Sequence, residues 1–330
     1  MSRYPWSEKE TFSDIDVCRH AIVRFVNGLV QQVDLGLQRW REQAGVYVEA
    51  ALAASTRRAY NADWRHFESW CRSHGCIALP AGEDTLVLYL TDFAATHRPA
   101  SLDRKLSVIR RVHEAADMKA ASQSLRIRLL VRGIRRSKGT REEGKRPIRV
   151  AELAAMVAGL PLRDQALLLV GFAGALRRSE LVGLNWEDVT WLIEGMQLLL
   201  RRSKTDQEGQ GREVAIPYAI GESRCPVKSL AAWRAACGFP EKGPIFGPKK
   251  RLNDRTVARV VQKAVQRIGL DARLYGGHSL RSGFATEAAR GGASERSIMR
   301  QTGHRSAATL WRYIRYASLF EEHALAKTGL

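Results

Sequence analysis

From Ser55 onward, apolar side chains recur at steps of four, three and four: Tyr60, Trp64, Phe67 and Cys71. On a helix this spacing makes one buried stripe, and Gly75 supplies a residue able to end it. Leu86, Leu90 and Phe93 predict a second helix. Leu102, Leu106, Ile109 and Ala116 predict a third, whose other side carries Arg104 and Arg111. Ser122 is placed to cap a fourth, along which Arg128, Arg132 and Arg135 recur at steps of four and three. Ahead of these, residues 1–54 hold a polar start and then apolar spacing from Ile15 to Ala54. That stretch reads as a helical extension broken near Gly36 and Gly45.

The pattern lapses at residues 137–150, which are charged, contain glycines and one proline, and show no apolar period. Such a stretch reads as a linker between a helical domain over 55–136 and a second domain over 151–330. Two domains suit 330 residues at roughly 150 residues each. Gly139, Gly144 and Lys145 approach a phosphate-binding P-loop, but Arg146 stands where a magnesium-binding Ser or Thr is required, so ATP binding is excluded. Val150 to Leu184 reads as helices, with the leucine-rich run Ala166 to Leu176 as core. Asp188–Leu192, Met196–Arg201 and Glu213–Ile216 then read as three short strands of an antiparallel sheet. Helices are predicted at about 226–237, 253–268, 279–290, 294–302 and 307–327. The expected class is mainly α with a small antiparallel β-sheet in the second domain.

Charge changes this picture more than composition does. Lys and Arg number 53 against 34 Asp and Glu, a net charge of +19 that calls for a polyanionic partner. Between Arg98 and Lys138 there are twelve basic and three acidic residues, falling mainly opposite the apolar stripes. A single-signed face of this kind reads as a phosphate-binding surface, with Arg104, Lys105, Arg111, Arg128 and Arg132 as its candidates. Arg255, just after the good capping residues Asn253 and Asp254, should project from a helix N-terminus. Arg104 and Arg255 are the candidate readers of base edges. No apolar run reaches the ~20 residues of a membrane span, and the N-terminus lacks the apolar core of a secretory signal. Five scattered cysteines read as reduced thiols, and Cys71, His74 and Cys76 lack a second ligand pair for zinc. A cytoplasmic protein with no metal is the expectation.

Cutting a phosphodiester requires its nonbridging oxygens to be neutralised, a nucleophile to be aligned and a proton to reach the departing oxygen. Arginine suits the first task, because its planar fork donates two hydrogen bonds and stays charged. The second domain offers Arg177 and Glu180 in Gly174-Ala-Leu-Arg-Arg-Ser-Glu, and His278 and Arg281 in Gly277-His-Ser-Leu-Arg. Downstream come Thr302-Gly303-His304 and, nine residues beyond that histidine, Tyr313. Together with Lys204 in Arg202-Ser-Lys-Thr-Asp, these residues resemble the tyrosine recombinase (phage integrase) family. That family's pattern is an Arg with an acid three residues on, a hairpin Lys, His-x-x-Arg, a His or Trp after Gly, and a Tyr about nine further. Spacing from Glu180 selects Arg177 over Arg178, and spacing from His304 selects Tyr313 over Tyr316. Ile298 to Tyr316 looks most like the two-domain, Cre-type members, although those have Trp where this chain has His304.

The resemblance implies a two-domain, C-shaped clamp on DNA and transesterification without a cofactor. Tyr313 would attack a DNA phosphate to form a 3′-phosphotyrosyl bond and free a 5′-hydroxyl. Arg177 and Arg281 would clamp the phosphate, His304 would add a hydrogen bond, and Glu180 would orient the surroundings of Arg177. His278 would handle a proton near Tyr313, and Lys204 would be the general acid. The implied partners are double-stranded DNA with an inverted-repeat site and three further copies of the chain, joined through the tail 317–330 into a tetramer on two sites. Relaxation of DNA in the manner of a type IB topoisomerase is the runner-up, and a non-catalytic DNA-binding regulator a third reading.

Overall fold

The computed structural model describes residues 38–139, 144–201, 211–221, 224–247, 250–304, 306–307 and 310–311. Lys204, Tyr313, the N-terminal stretch before residue 38 and the tail 317–330 lie outside the described residues. The chain divides into two compact units between Glu142 and Glu143.

The first unit comprises α1 (Gln38–Ala50), α2 (Ala54–Ser73), α3 (Glu83–Thr96), α4 (Ala100–Ala115) and α5 (Leu125–Lys138). Helix α1 runs straight through Gly45, where the sequence reading expected a break. One glycine costs only about 1 kcal/mol in a helix interior, too little to end it. The predicted stripe of α2 is buried at Trp64, Phe67 and Cys71, and it packs with Leu86, Leu90 and Phe93 of α3, Leu102 and Ile109 of α4, and Ile127 and Val131 of α5. Gly75, at φ +64°, follows the end of α2. The cap of α5 is Ser124, whose hydroxyl accepts from the Ile127 N–H, and not Ser122. Ser122 is buried in a preceding single 3-10 turn. Both serines satisfy the sequence rule, and only packing of that turn against α3 and α4 separates them.

Lys105 corrects another expectation. Its ammonium is buried 3.1 Å from Asp63, itself buried, and lies over the Phe93 ring, so it is unavailable to DNA. Arg104 gives its Nε and Nη2 to the same carboxylate at 2.5 and 3.1 Å, which occupies one of the two edges its guanidinium can offer. Asp63, three residues after Tyr60 and four before Phe67, flanks the apolar stripe of α2, but nothing local pairs it with cations some forty residues on. Burial alone would raise the Asp63 pKa, but the hydrogen bonds and charges of Arg104 and Lys105 hold it below the usual carboxylate range. Asp63→Asn leaves the Lys105 ammonium buried without its countercharge and is expected to cost about 3 kcal/mol in urea unfolding.

His113 is fully buried, with Nδ1–H donating to the Ile109 carbonyl and Nε2 accepting from the Ala81 N–H, both at 2.8 Å. Protonation would break the second bond, and burial accordingly pushes its pKa below 6.5. A depressed histidine contributes stability above the unfolded value that is lost as pH falls. The urea midpoint of this unit is expected to drop between pH 7.5 and 5.5. An unchanged midpoint would remove His113 from the stability balance.

The second unit begins with residues 144–149, which the sequence reading assigned to a linker. They are pinned to the unit by backbone bonds from Arg146 to the Leu274 carbonyl and from Ile148 to the Ser279 carbonyl, and Ile148 is fully buried. A charged, proline-bearing composition masked one anchoring isoleucine. Helices α6 (Val150–Val157), α7 (Leu162–Ala173) and α8 (Arg178–Gly183) lead to a three-stranded antiparallel sheet. Its strands are β1 (Val189–Leu192), β2 (Gly195–Leu200) and β3 (Arg212–Pro217), with Val189 opposite Leu198 and Met196 opposite Ile216. Then come α9 (Pro226–Ala236), α10 (Asp254–Arg267), α11 (His278–Arg290) and α12 (Glu295–Thr302).

Helix α7 is buried without a break from Ala166 to Gly171, and packs on α9 and α11. It forms the centre of the larger core with Leu181, Leu198, Val214, Val257, Val261 and Leu280. None of the described helices is long and apolar enough to cross a membrane.

Candidate active site

The site grows from the short turn between α7 and α8. Ala175 takes a left-handed backbone at φ +49°, and its carbonyl accepts a 2.8 Å hydrogen bond from Nη1 of Arg281. Arg177 directly precedes α8, and Glu180, in the first turn, folds back onto it. The Glu180 carboxylate accepts from the Arg177 backbone N–H at 2.9 Å and from its Nη1 at 2.5 Å. One acid thus caps the helix and fixes the guanidinium, which explains the three-residue spacing in terms of local geometry. The Glu180 side chain is fully buried, whereas Arg177 keeps 20% of its side chain exposed. Arg178 runs past Gly277 towards Asp254, with its Nη2 3.7 Å from that carboxylate.

Arg281 lies one turn into α11, on the face that carries His278 at the helix start. It is 1% exposed, so a full positive charge is held among buried groups. The helix is seated closely: Gly283 packs against the Ile148 carbonyl so tightly that any Cβ would collide with it. His278 itself is exposed.

His304 follows α12, which ends at Gly303 in a left-handed conformation of φ +67°. A Cβ at Gly303 would come 2.9 Å from Nε of Arg212, so the turn needs glycine on two counts. Arg212 starts β3 on the same face as the buried Val214 and Ile216. Its Nη1 donates to the Arg300 and Gln301 carbonyls at 3.1 and 2.7 Å, and its Nη2 lies 4.0 Å from Glu180. Arg212 therefore joins the carboxylate that holds Arg177 to the helix end that presents His304. No motif in the sequence singles it out. The available signal was its phase, a cation two residues before Val214 on an otherwise apolar strand face.

Burial, Arg281, Arg177, His278 and Arg212 together push the His304 pKa down to about 4. Desolvation, then Arg281, Arg178 and Arg177, lower that of His278. Burial lowers that of Arg212 as well, with Arg177 adding to the effect and Glu180 opposing it. Arg177, Arg281, His278 and His304 are thus brought together with Arg212, and Glu180 is the acid among them. Among the described residues the cations of this centre outnumber its acid, and a bound anion would offset them. Away from it, Arg255 is exposed at the start of α10, with its backbone N–H capped by Asn253 at 2.9 Å. Arg111, Arg128 and Arg132 are exposed on the first unit.

Residues 146–319 match the model of the phage integrase family. A relative from Selenomonas ruminantium, an integrase/recombinase xerD homolog, is 39% identical over 296 residues, which cover 84% of this chain and 86% of the relative. Tyrosine recombinase XerC of Pelobacter propionicus is 28% identical over 278 residues, covering 80% and 86%. In fold, the chain is similar to XerH site-specific recombinase in a post-cleavage complex with palindromic difH substrate. The TM-score is 0.66 at 15% identity, over 98% of this chain and 99% of that one. It is also similar to DNA-bound lambda integrase, at TM-score 0.55 and 15% identity, over 92% and 97%. With the family model spanning more than half its length and a relative matched over most of both chains, this chain belongs to the phage integrase family and is a tyrosine site-specific recombinase.

Proposed function

We propose that the cationic centre around Arg177 and Arg281 holds the scissile phosphate of duplex DNA while Tyr313 attacks the phosphorus. The observation that carries this reading is the meeting of Arg177, Arg281, His278 and His304 around one locus, with Glu180 turned beneath Arg177. Attack forms a 3′-phosphotyrosyl bond and breaks the bond to the 5′-oxygen, which leaves with a proton as a hydroxyl. Lys204 supplies that proton. His278, its pKa lowered below 6.5, is neutral near pH 7 and able to accept the tyrosyl proton. The phosphoester is conserved in the intermediate, so a 5′-hydroxyl from a partner duplex reverses the step and yields exchanged strands.

The partner is double-stranded DNA carrying an inverted-repeat site, engaged by four copies of the chain on two sites. Arg111, Arg128 and Arg132 contact phosphates, and Arg255 is the reader of base edges. Arg128→Ala with Arg132→Ala should lower the slope of log affinity against log salt by about 0.9 for each arginine. An unchanged slope would remove them from the interface. Arg255→Ala should relax sequence preference, whereas a uniform loss across sequences would make it a phosphate contact. Two duplexes of different length, each with one site, test the whole reading: products of recombinant length are expected, and relaxation of supercoiled circles without them would indicate a topoisomerase.

A further inference from the structure

We infer that Thr302 is a positioning residue that fixes the tautomer of His304, so that its Nε2 can donate to the phosphate only when the ring is a cation. The inference rests on the reading that His304 faces the scissile phosphate. Thr302 is fully buried at the end of α12. Its Oγ1 lies 2.7 Å from the Ile298 carbonyl, 3.4 Å from that of Met299, and 2.9 Å from Nδ1 of His304.

Proton counting settles who donates to whom. A carbonyl oxygen has no proton, and two oxygens 2.7 Å apart repel unless a proton lies between them. The hydroxyl has only one, so Thr302 gives it to Ile298. The Nδ1 contact then also needs a proton, which must be on the ring, and Thr302 accepts it through a lone pair. The neutral ring is thereby the Nδ1–H form, with its lone pair on Nε2. A phosphate oxygen has only lone pairs to offer, so it repels that nitrogen until a second proton arrives.

Among the described residues, the charged or titratable groups acting on His304 are Arg281 and His278 on α11, Arg177 ahead of α8 and Arg212 on β3. All are cationic or become so in acid, and they oppose the second proton. A bound phosphate is the anion that offsets them. The contact from His304 is therefore made together with phosphate binding and is weakened as pH rises. A Trp at this position, as in Cre-type members, donates at every pH and needs no such partner.

Two measurements on the full chain test this independently. In long-range proton–nitrogen spectra of histidine-labelled protein at pH 7.5, the signal lost in His304→Trp should be that of an Nδ1–H ring. Thr302→Ser should keep that form and Thr302→Val should lose it. This readout involves no DNA, so it judges Thr302 even if the reading of the phosphate site fails. An Nε2–H ring in the unmodified protein would overturn the inference.

In the second measurement, cleavage of a nicked DNA substrate is followed from pH 5.5 to 9, and the Thr302→Val rate is divided by the unmodified rate to cancel other titrations. The freed neutral ring can place its proton on Nε2, so the ratio should climb by about tenfold with pH. In a His304→Trp background the same ratio should stay flat. A flat ratio with histidine present, or an equal climb with tryptophan, would make Thr302 a mere packing residue. If His304→Ala cleaves at the unmodified rate, the phosphate-site reading fails instead.

Discussion

Tyr313→Phe should abolish strand cleavage while leaving DNA affinity unchanged. The substitution removes one oxygen and keeps the ring, so only the nucleophile is lost. In the proposed reaction a water molecule cannot take over at a useful rate, because the advantage comes from a tethered, oriented hydroxyl. Gel-shift affinity should match the unmodified protein, and the covalent protein–DNA band should vanish. Tyr316→Phe should retain the band. The reverse result would move the nucleophile by three residues and change the register of the whole C-terminal reading.

Lys204→Ala should slow cleavage by about 10²- to 10⁴-fold, the range typical of lost general acid catalysis. The departing 5′-oxygen is an alkoxide far too basic to leave quickly without a proton. Substituting sulfur at the bridging 5′-position gives a thiol-type leaving group with a pKa near ~8.5, which departs unprotonated. On that substrate Lys204→Ala should regain nearly the unmodified rate. Arg177→Ala should remain defective on both, since neutralising the nonbridging oxygens is still required. Equal defects of Lys204→Ala on the two substrates would show that this lysine positions DNA instead of donating a proton.

Most of the described helices and the three strands were legible because their apolar residues keep strict time; the helix expected at about 307–327 lies almost wholly outside the described residues. Trp64, Phe67 and Cys71 are all buried on one face of α2, and Leu198, Val214 and Ile216 point inward from the sheet. The pairing of Arg177 with Glu180 and the shared face of His278 and Arg281 were legible for a related reason, as both are spacings within one helical turn. What escaped is what only tertiary packing decides. Lys105 resembles its solvent-facing neighbours in sequence, yet Asp63, some forty positions earlier, draws it inward. Arg212 binds carbonyls on α12, nearly ninety residues away, and no local pattern records such a contact. Ile148 sits in a stretch whose charge and proline read as solvated, yet its side chain is fully buried and its backbone packs against Gly283 of α11. Thr302 carries no periodic signal of its own, and only the fold sets its hydroxyl between the Ile298 carbonyl and the His304 ring.

The central claim is that one tyrosine carries the DNA by its 3′ phosphate, and identification of the covalent adduct tests it most directly. A duplex nicked beside the cleavage site lets the short 5′-hydroxyl fragment diffuse away, so the intermediate accumulates. Digestion with nuclease and protease followed by mass spectrometry should then find a nucleotide phosphate on the peptide containing Tyr313, with the other DNA end a free 5′-hydroxyl. Attachment to Tyr316 or to any other residue, linkage through a 5′ phosphate, or cleavage without any protein–DNA adduct would contradict the account.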